Sequence, residues 1–151
     1  MSAPPATKRV RVLFVEDSDL LRLIVAEELA EAGFRVIEAS TGEAALTALR
    51  DHVGGIDWLF TDIRLPGPID GWRVADEFRF TYPLRPVIFA SGDTASVPRA
   101  YGDSVFLRKP YRVSEVVACV RSLASGWSHA DIEIAALRRL RPDAGFGAKV
   151  G

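Results

Sequence analysis

The sequence predicts an α/β sandwich: a doubly wound parallel sheet with helices on both faces. Three observations carry this. Short apolar runs and amphipathic stretches alternate strictly, five times over, between Arg9 and Ala124. The runs are nearly continuous in apolar residues, as in Val10, Val12, Leu13, Phe14 and Val15, which marks strands buried on both faces. Four of the five runs end in a polar group, and an open parallel sheet gathers its chemistry at the carboxyl ends of its strands.

Taken in order, Arg9 to Val15 is the first strand. Glu16-Asp17 follow it, and Ser18 is placed to cap a helix. Leu21, Ile24, Val25, Leu29 and Ala32 form that helix's apolar stripe, and Gly33 ends it. Phe34 to Ala39 is strand two. Ser40 and Glu43, three apart, predict a capping box for a helix from Thr41 to about Asp51. Gly54-Gly55 interrupts, and strand three runs from Ile56 to Thr61, delivering Asp62. Asp70 caps a helix that carries Trp72, Ala75 and Phe78 and ends near Tyr82-Pro83. Pro86 to Ala90 is strand four, followed by Ser91-Gly92-Asp93. Thr94 to Gly102 reads as a short helix broken by Pro98. Val105 to Arg108 is strand five. After Lys109-Pro110, the last core helix carries Val113, Val116, Val117, Val120, Leu123 and Ala124 on one stripe. Ser128 and Asp131 then precede Ile132, Ala136 and Leu140, with Arg138, Arg139 and Arg141 at the favourable end of a helix dipole. The expected organisation is a frayed leader over 1–8, a core domain over 9–125, and an extension over 126–151 with one short helix. That helix either docks on its own domain or serves a dimer or partner.

The composition is that of an ordinary globular chain. It has 151 residues, 48% apolar and 26% charged, with net charge -1. One domain of that length buries about 70% of its extended surface, enough for a real core. The charge balance does not advertise nucleic acid or a membrane surface as a partner. The one cysteine, Cys119, allows no internal disulfide and sits among valines, where packing is its default role. No apolar run approaches the ~20 residues of a membrane span, and residues 1–8 lack the apolar segment of a secretory signal. A cytoplasmic protein is expected. His52 and His129 read as surface residues.

The strand ends are Glu16-Asp17, Asp62, Ser91 and Lys109. Any one of them has a bland reading; Asp62 alone could be a cap for its loop. In a parallel sheet, however, they lie on one edge, so three carboxylates, a hydroxyl and an ammonium converge. Clustered carboxylates repel one another unless cations compensate. Lys109 supplies one charge. Mg²⁺, which favours carboxylate oxygens and keeps several waters, would supply the rest and leave room for a phosphoryl group.

The chain resembles the receiver domain of bacterial two-component response regulators over about residues 9–125. The matching pieces are Glu16-Asp17, the block Asp62-Ile63-Arg64-Leu65-Pro66-Gly67, Asp70-Gly71, Ser91 after a strand, and Lys109-Pro110. The resemblance implies a CheY-like, flavodoxin-like (βα)5 sandwich of strand order 2-1-3-4-5, here with an extra C-terminal helix. It implies a single-domain regulator in a phosphorelay, with Asp62 as phosphoacceptor. Glu16, Asp17, Asp62 and the backbone carbonyl of Arg64 are then the Mg²⁺ ligands (Mn²⁺ being an alternative), Lys109 and Ser91 contact the phosphoryl group, and Ser91 and Phe106 are the switch. Such a protein catalyses its own phosphorylation and dephosphorylation and is not a turnover enzyme. Its partners would be a sensor histidine kinase or histidine phosphotransfer protein and a downstream protein target. A homodimer is open, through the C-terminal helix or the face of helix four, strand five and helix five. Phe106 has an equal claim to plain core packing.

The chain departs from the family pattern in places. Glu16 replaces the usual Asp, and Ser91 the commoner Thr. The loop from Asp62 to Gly71 is longer by one residue than the family's, through Gly67-Pro68, and the segment from Ser91 to Lys109 is short. The run Pro86 to Gly92 is similar to an alphaproteobacterial group of stand-alone receivers with a Phe-Ala-Thr-Gly motif. Arg64 and Asp93, each two residues past a phosphoryl contact, are expected to pair over the site's entrance. Competing readings are a docking or adaptor module that needs no phosphate and a haloacid-dehalogenase-type phosphatase. The phosphatase wants a second Asp where Arg64 stands.

Overall fold

The computed structural model describes residues 9–92 and 104–124, with residues 120–124 as backbone only. Within them the elements are β1 (Arg11–Val15), α1 (Asp19–Glu31), β2 (Arg35–Ala39), α2 (Gly42–Asp51), β3 (Trp58–Asp62), α3 (Gly71–Thr81), β4 (Val87–Ser91), β5 (Ser104–Arg108) and α4 (Val113–Ala124). All strands are parallel, in the order β2-β1-β3-β4-β5. The leader, the predicted short helix over Thr94 to Gly102, Asp93, His129 and the extension lie outside the described residues.

Alternation along each strand feeds two cores, one per face. Val12 and Phe14 of β1, Trp58 and Phe60 of β3 and Ile88 and Ala90 of β4 pack with Val25 and Leu29 of α1 and Val116 and Cys119 of α4. Leu13, Val15, Leu59, Val87 and Phe89 face the other way, onto Ala45 and Leu49 of α2 and Trp72, Ala75 and Phe78 of α3. Both faces are therefore covered, which is why the strands read as unbroken apolar runs. Cys119 is buried, as its valine neighbours predict.

The caps explain the helix starts. Ser18 accepts from Leu21 N–H at 3.3 Å and Asp70 from Arg73 N–H at 3.0 Å, both as expected. The second cap differs from the expectation. It is Thr41, extended at φ -142° and ψ 164°, whose Oγ1 accepts from Ala44 N–H at 3.0 Å. The helix thus begins one residue later than a Ser40–Glu43 box requires. Ile24 is also corrected: it is 41% exposed, and with Leu20 and Leu23 it forms a second apolar strip on the outside of α1. Gly33 ends α1 at φ 101°, a conformation that favours glycine.

The β3–α3 loop is tightly seated. A methyl group at Gly71 would overlap the Asp62 carbonyl oxygen, and one at Gly42 would overlap Ile69 O. Gly71 N–H donates to Ile63 O at 2.8 Å. Glycine at these two places lets the loop following Asp62 lie against α2 and return at once into α3. Among the described residues, no helix is long and apolar enough to cross a membrane.

Candidate functional site

The strand register brings the predicted residues together. Asp62 ends β3 and lies opposite Ala90, so Ser91 stands one residue beyond it on β4. Lys109 follows β5, and its N–H donates to Ser91 O at 2.8 Å. Glu16 follows β1, and its N–H donates to Ala39 O at 3.0 Å. Four strands therefore deliver Glu16-Asp17, Asp62, Ser91 and Lys109 to one edge.

The centre of the site is buried. Glu16 is 1% exposed and Asp62 4% exposed. Lys109 Nζ donates to Glu16 Oε1 at 2.9 Å and lies 2.7 Å from Asp62 Oδ1. Asp62 Oδ1 is buried, and the Lys109 ammonium is the charge it faces. Glu16 Oε2 accepts from Ser18 N–H at 2.9 Å. Thr61, buried beside them, donates its hydroxyl to the Asp62 carbonyl at 2.9 Å.

One ammonium cannot neutralise two buried carboxylates. Burial pushes the Asp62 pKa up, the Glu16 carboxylate adds to the rise, and Lys109 only partly opposes it, leaving it at about 8. Glu16 goes the other way. Burial would raise it, but the Ser18 amide, Lys109 and Asp62 together hold it below its ordinary value. Without a further cation, the pair's proton sits on Asp62. For Lys109, burial favours the neutral form, yet hydrogen bonding and charge from Asp62 and Glu16 outweigh it and raise the pKa.

The donor set suits a hard divalent cation. Carboxylate oxygens of Glu16, Asp17 and Asp62 come within 4.8 Å of one another, and Asp17 is exposed. Arg64, expected at the rim, is exposed. Its expected partner, Asp93, is outside the described residues. Phe106 is half-buried and stacks on Phe89 at 5.1 Å, with Trp72 of α3 tilted against both at 4.7 and 6.2 Å.

Three residues at the site were not singled out in the sequence. Thr61 is one. The second is Tyr111, two past Lys109, whose ring tilts on Phe60 at 5.6 Å. Its hydroxyl is buried without a hydrogen-bond partner, and burial, with the Glu16 and Asp62 charges, raises its pKa. The third is Arg22, whose Nη1 donates to the Glu16 carbonyl at 2.8 Å. Its spacing of three from Asp19 on a helix was the available signal.

Comparison with known proteins places this geometry. The family model of the response regulator receiver domain matches residues 12–121. The chain is 31% identical over 116 residues to the sensor kinase CckA of Brucella abortus, covering 74% of this chain and 12% of that protein. It is 28% identical over 120 residues to the transcriptional regulatory protein PdtaR of Mycobacterium tuberculosis, covering 76% of this chain and 57% of that one. It thus spans less than two thirds of either relative's length. The crystal structure of a response regulator receiver protein from Sinorhizobium medicae superimposes with a TM-score of 0.72 at 32% identity, covering 79% of this chain and 97% of that one.

A pH dependence follows from the raised Asp62 pKa. A group raised from 3.8 to about 8 on folding contributes stability below pH 4 and loses it as pH rises through 8. In EDTA, Asp62→Asn should therefore gain on the parent over that window, by an amount on the order of a few kcal/mol. Urea unfolding of both proteins from pH 4 to 9 measures it. A constant difference would show that Asp62 is ionised throughout.

Proposed function

The chain belongs to the response regulator receiver family, and on that footing we propose that Asp62 is its phosphoacceptor, charged by a phosphohistidine on a histidine kinase or phosphotransfer protein. Aspartyl phosphorylation in two-component signalling is general to the family, and its members bind Mg²⁺ at an acidic pocket. The observation that carries the assignment is Asp62 itself, a buried strand-end carboxylate 2.7 Å from the Lys109 ammonium.

In the proposed step, an Asp62 oxygen attacks phosphorus. The P–N bond of the donor breaks, its electrons go to the imidazole, which takes a proton, and the new P–O bond makes an acyl phosphate. Lys109 meets the charge on the transferring oxygens, and the Ser91 hydroxyl donates to one of them. Mg²⁺, or Mn²⁺ with the same hard donors, would be held by Asp17, Asp62 and the Arg64 carbonyl and would supply positive charge against the phosphoryl oxygens. Glu16, whose oxygens already accept from Ser18 and Lys109, contributes mainly charge. Water later attacks phosphorus, releasing inorganic phosphate and restoring the carboxylate. The protein is thus consumed and regenerated as a switch rather than acting as a turnover enzyme. Movement of Ser91 toward the phosphoryl group and re-packing of Phe106 against Phe89 and Trp72 would carry the change to a downstream protein.

The donor surface follows from the same geometry. Leu20, Leu23 and Ile24 are 68%, 54% and 41% exposed on the helix that starts just after the acid pair. An exposed apolar strip on the helix that follows the acid pair suits the helix that presents the donor histidine.

Intact mass after incubation with acetyl phosphate tests the acceptor. The parent should gain one phosphoryl group only with Mg²⁺, and Asp62→Asn and Asp17→Ala should gain none or little. No adduct on a folded parent would favour a phosphate-independent docking module. For the surface, Leu23→Glu should slow transfer from a phosphohistidine donor at least several-fold and leave acetyl phosphate labelling unchanged. Equal slowing in both assays would place its effect in the fold instead.

A further inference from the structure

The acidic turn after β1 must be held against its own repulsion, because Glu16, Asp17 and Asp19 lie within four residues. The carbonyl of Glu16, which joins it to Asp17, accepts from Arg22 Nη1 at 2.8 Å. The same guanidinium donates through Nη2 to Asp19 Oδ1 at 2.7 Å and sets Nε 3.4 Å from Glu38 Oε1 on β2. The Arg22 side chain is only 18% exposed. One planar fork therefore ties the turn, the first turn of α1 and the neighbouring strand together.

We propose that Arg22 is a positioning residue for the divalent cation: it fixes the Glu16–Asp17 peptide and so aims the Asp17 carboxylate before the cation arrives. The proposal rests on the reading of the acid pair as a Mg²⁺ site. Two features separate it from an ordinary surface ion pair. The bond to the Glu16 carbonyl is a charge-assisted bond to a neutral backbone group, which charge balance alone does not require. The three contacts also use three donor directions of a rigid fork, which lysine cannot reproduce.

The sign of the effect decides between the two. As a mere cation near the site, Arg22 opposes a divalent ion, and its removal tightens binding. As a clamp, its removal weakens binding, since outer partners that orient metal ligands are typically worth about 10–100-fold in affinity.

The test is calorimetric Mg²⁺ titration of the parent, Arg22→Gln and Arg22→Lys, with amide hydrogen exchange at Asp17 and Ser18 in EDTA. Both variants should bind Mg²⁺ about 10-fold more weakly. The two amides should exchange faster even without metal. The Lys variant keeps the charge, so it isolates the loss of the fork and still decides the matter if Arg22→Gln does not fold. A variant that binds Mg²⁺ as tightly as the parent or more tightly, or unchanged amide exchange, overturns the clamp alone. A parent that binds no Mg²⁺ overturns the acid-pair reading and the proposal with it.

Discussion

Two carboxylates and one ammonium share a buried space at the sheet edge, and the surroundings are arranged around that imbalance. Glu16 and Asp62 each contact Lys109 Nζ, at 2.9 and 2.7 Å. The cluster carries one negative charge too many for a site this dry. Left alone, it retains a proton on Asp62, the oxygen-bearing group on which phosphorylation would depend. A bound cation removes that need. The same charge deficit thus makes the site receptive to a metal and to a group whose transfer needs positive surroundings.

The fold exists to hold this cluster. Glu16 comes from β1, Asp62 from β3, Ser91 from β4 and Lys109 from β5, and parallel pairing puts their ends side by side. The apolar cores on both faces fix the strands, and a rigid sheet keeps the charges at distances that repulsion would otherwise widen. Thr61 holds the Asp62 carbonyl, and Gly71 allows the chain to turn against it. Arg22 holds the Glu16 carbonyl from α1. The Glu16 and Asp62 segments are thus anchored by neighbours that make none of the proposed phosphoryl contacts.

The sheet and its polar edge were legible in the sequence because both follow from local rules. A five-residue apolar run buried on both faces has few other interpretations, and parallel strands place their C-terminal residues together without any knowledge of side-chain packing. Ser18 and Asp70 were legible as caps for the same reason. Thr41 was not, because Ser40 beside it is equally able to cap, and only the extended backbone at Thr41 selects between them. Ile24 was misplaced because α1 has apolar residues on more than one side, so Leu21–Val25–Leu29 and Leu20–Leu23–Ile24 both satisfy helical spacing. The Arg22 bond to the Glu16 carbonyl and the Tyr111 ring contact with Phe60 are not given by spacing, which points only to the Arg22–Asp19 pair. The Glu16–Lys109 bond spans 93 residues and needed the strand order before it could be seen.

The claim on which the account turns is that the metal-free pair holds its proton on Asp62. Carbon-13 NMR titration of the Asp62 side-chain carboxyl, in EDTA and then in Mg²⁺, measures this directly. The account predicts a midpoint at about 8 without metal and a markedly lower one with it. A midpoint near the ordinary 3.8 in EDTA would show that Lys109 alone balances both carboxylates, and the charge deficit would not exist.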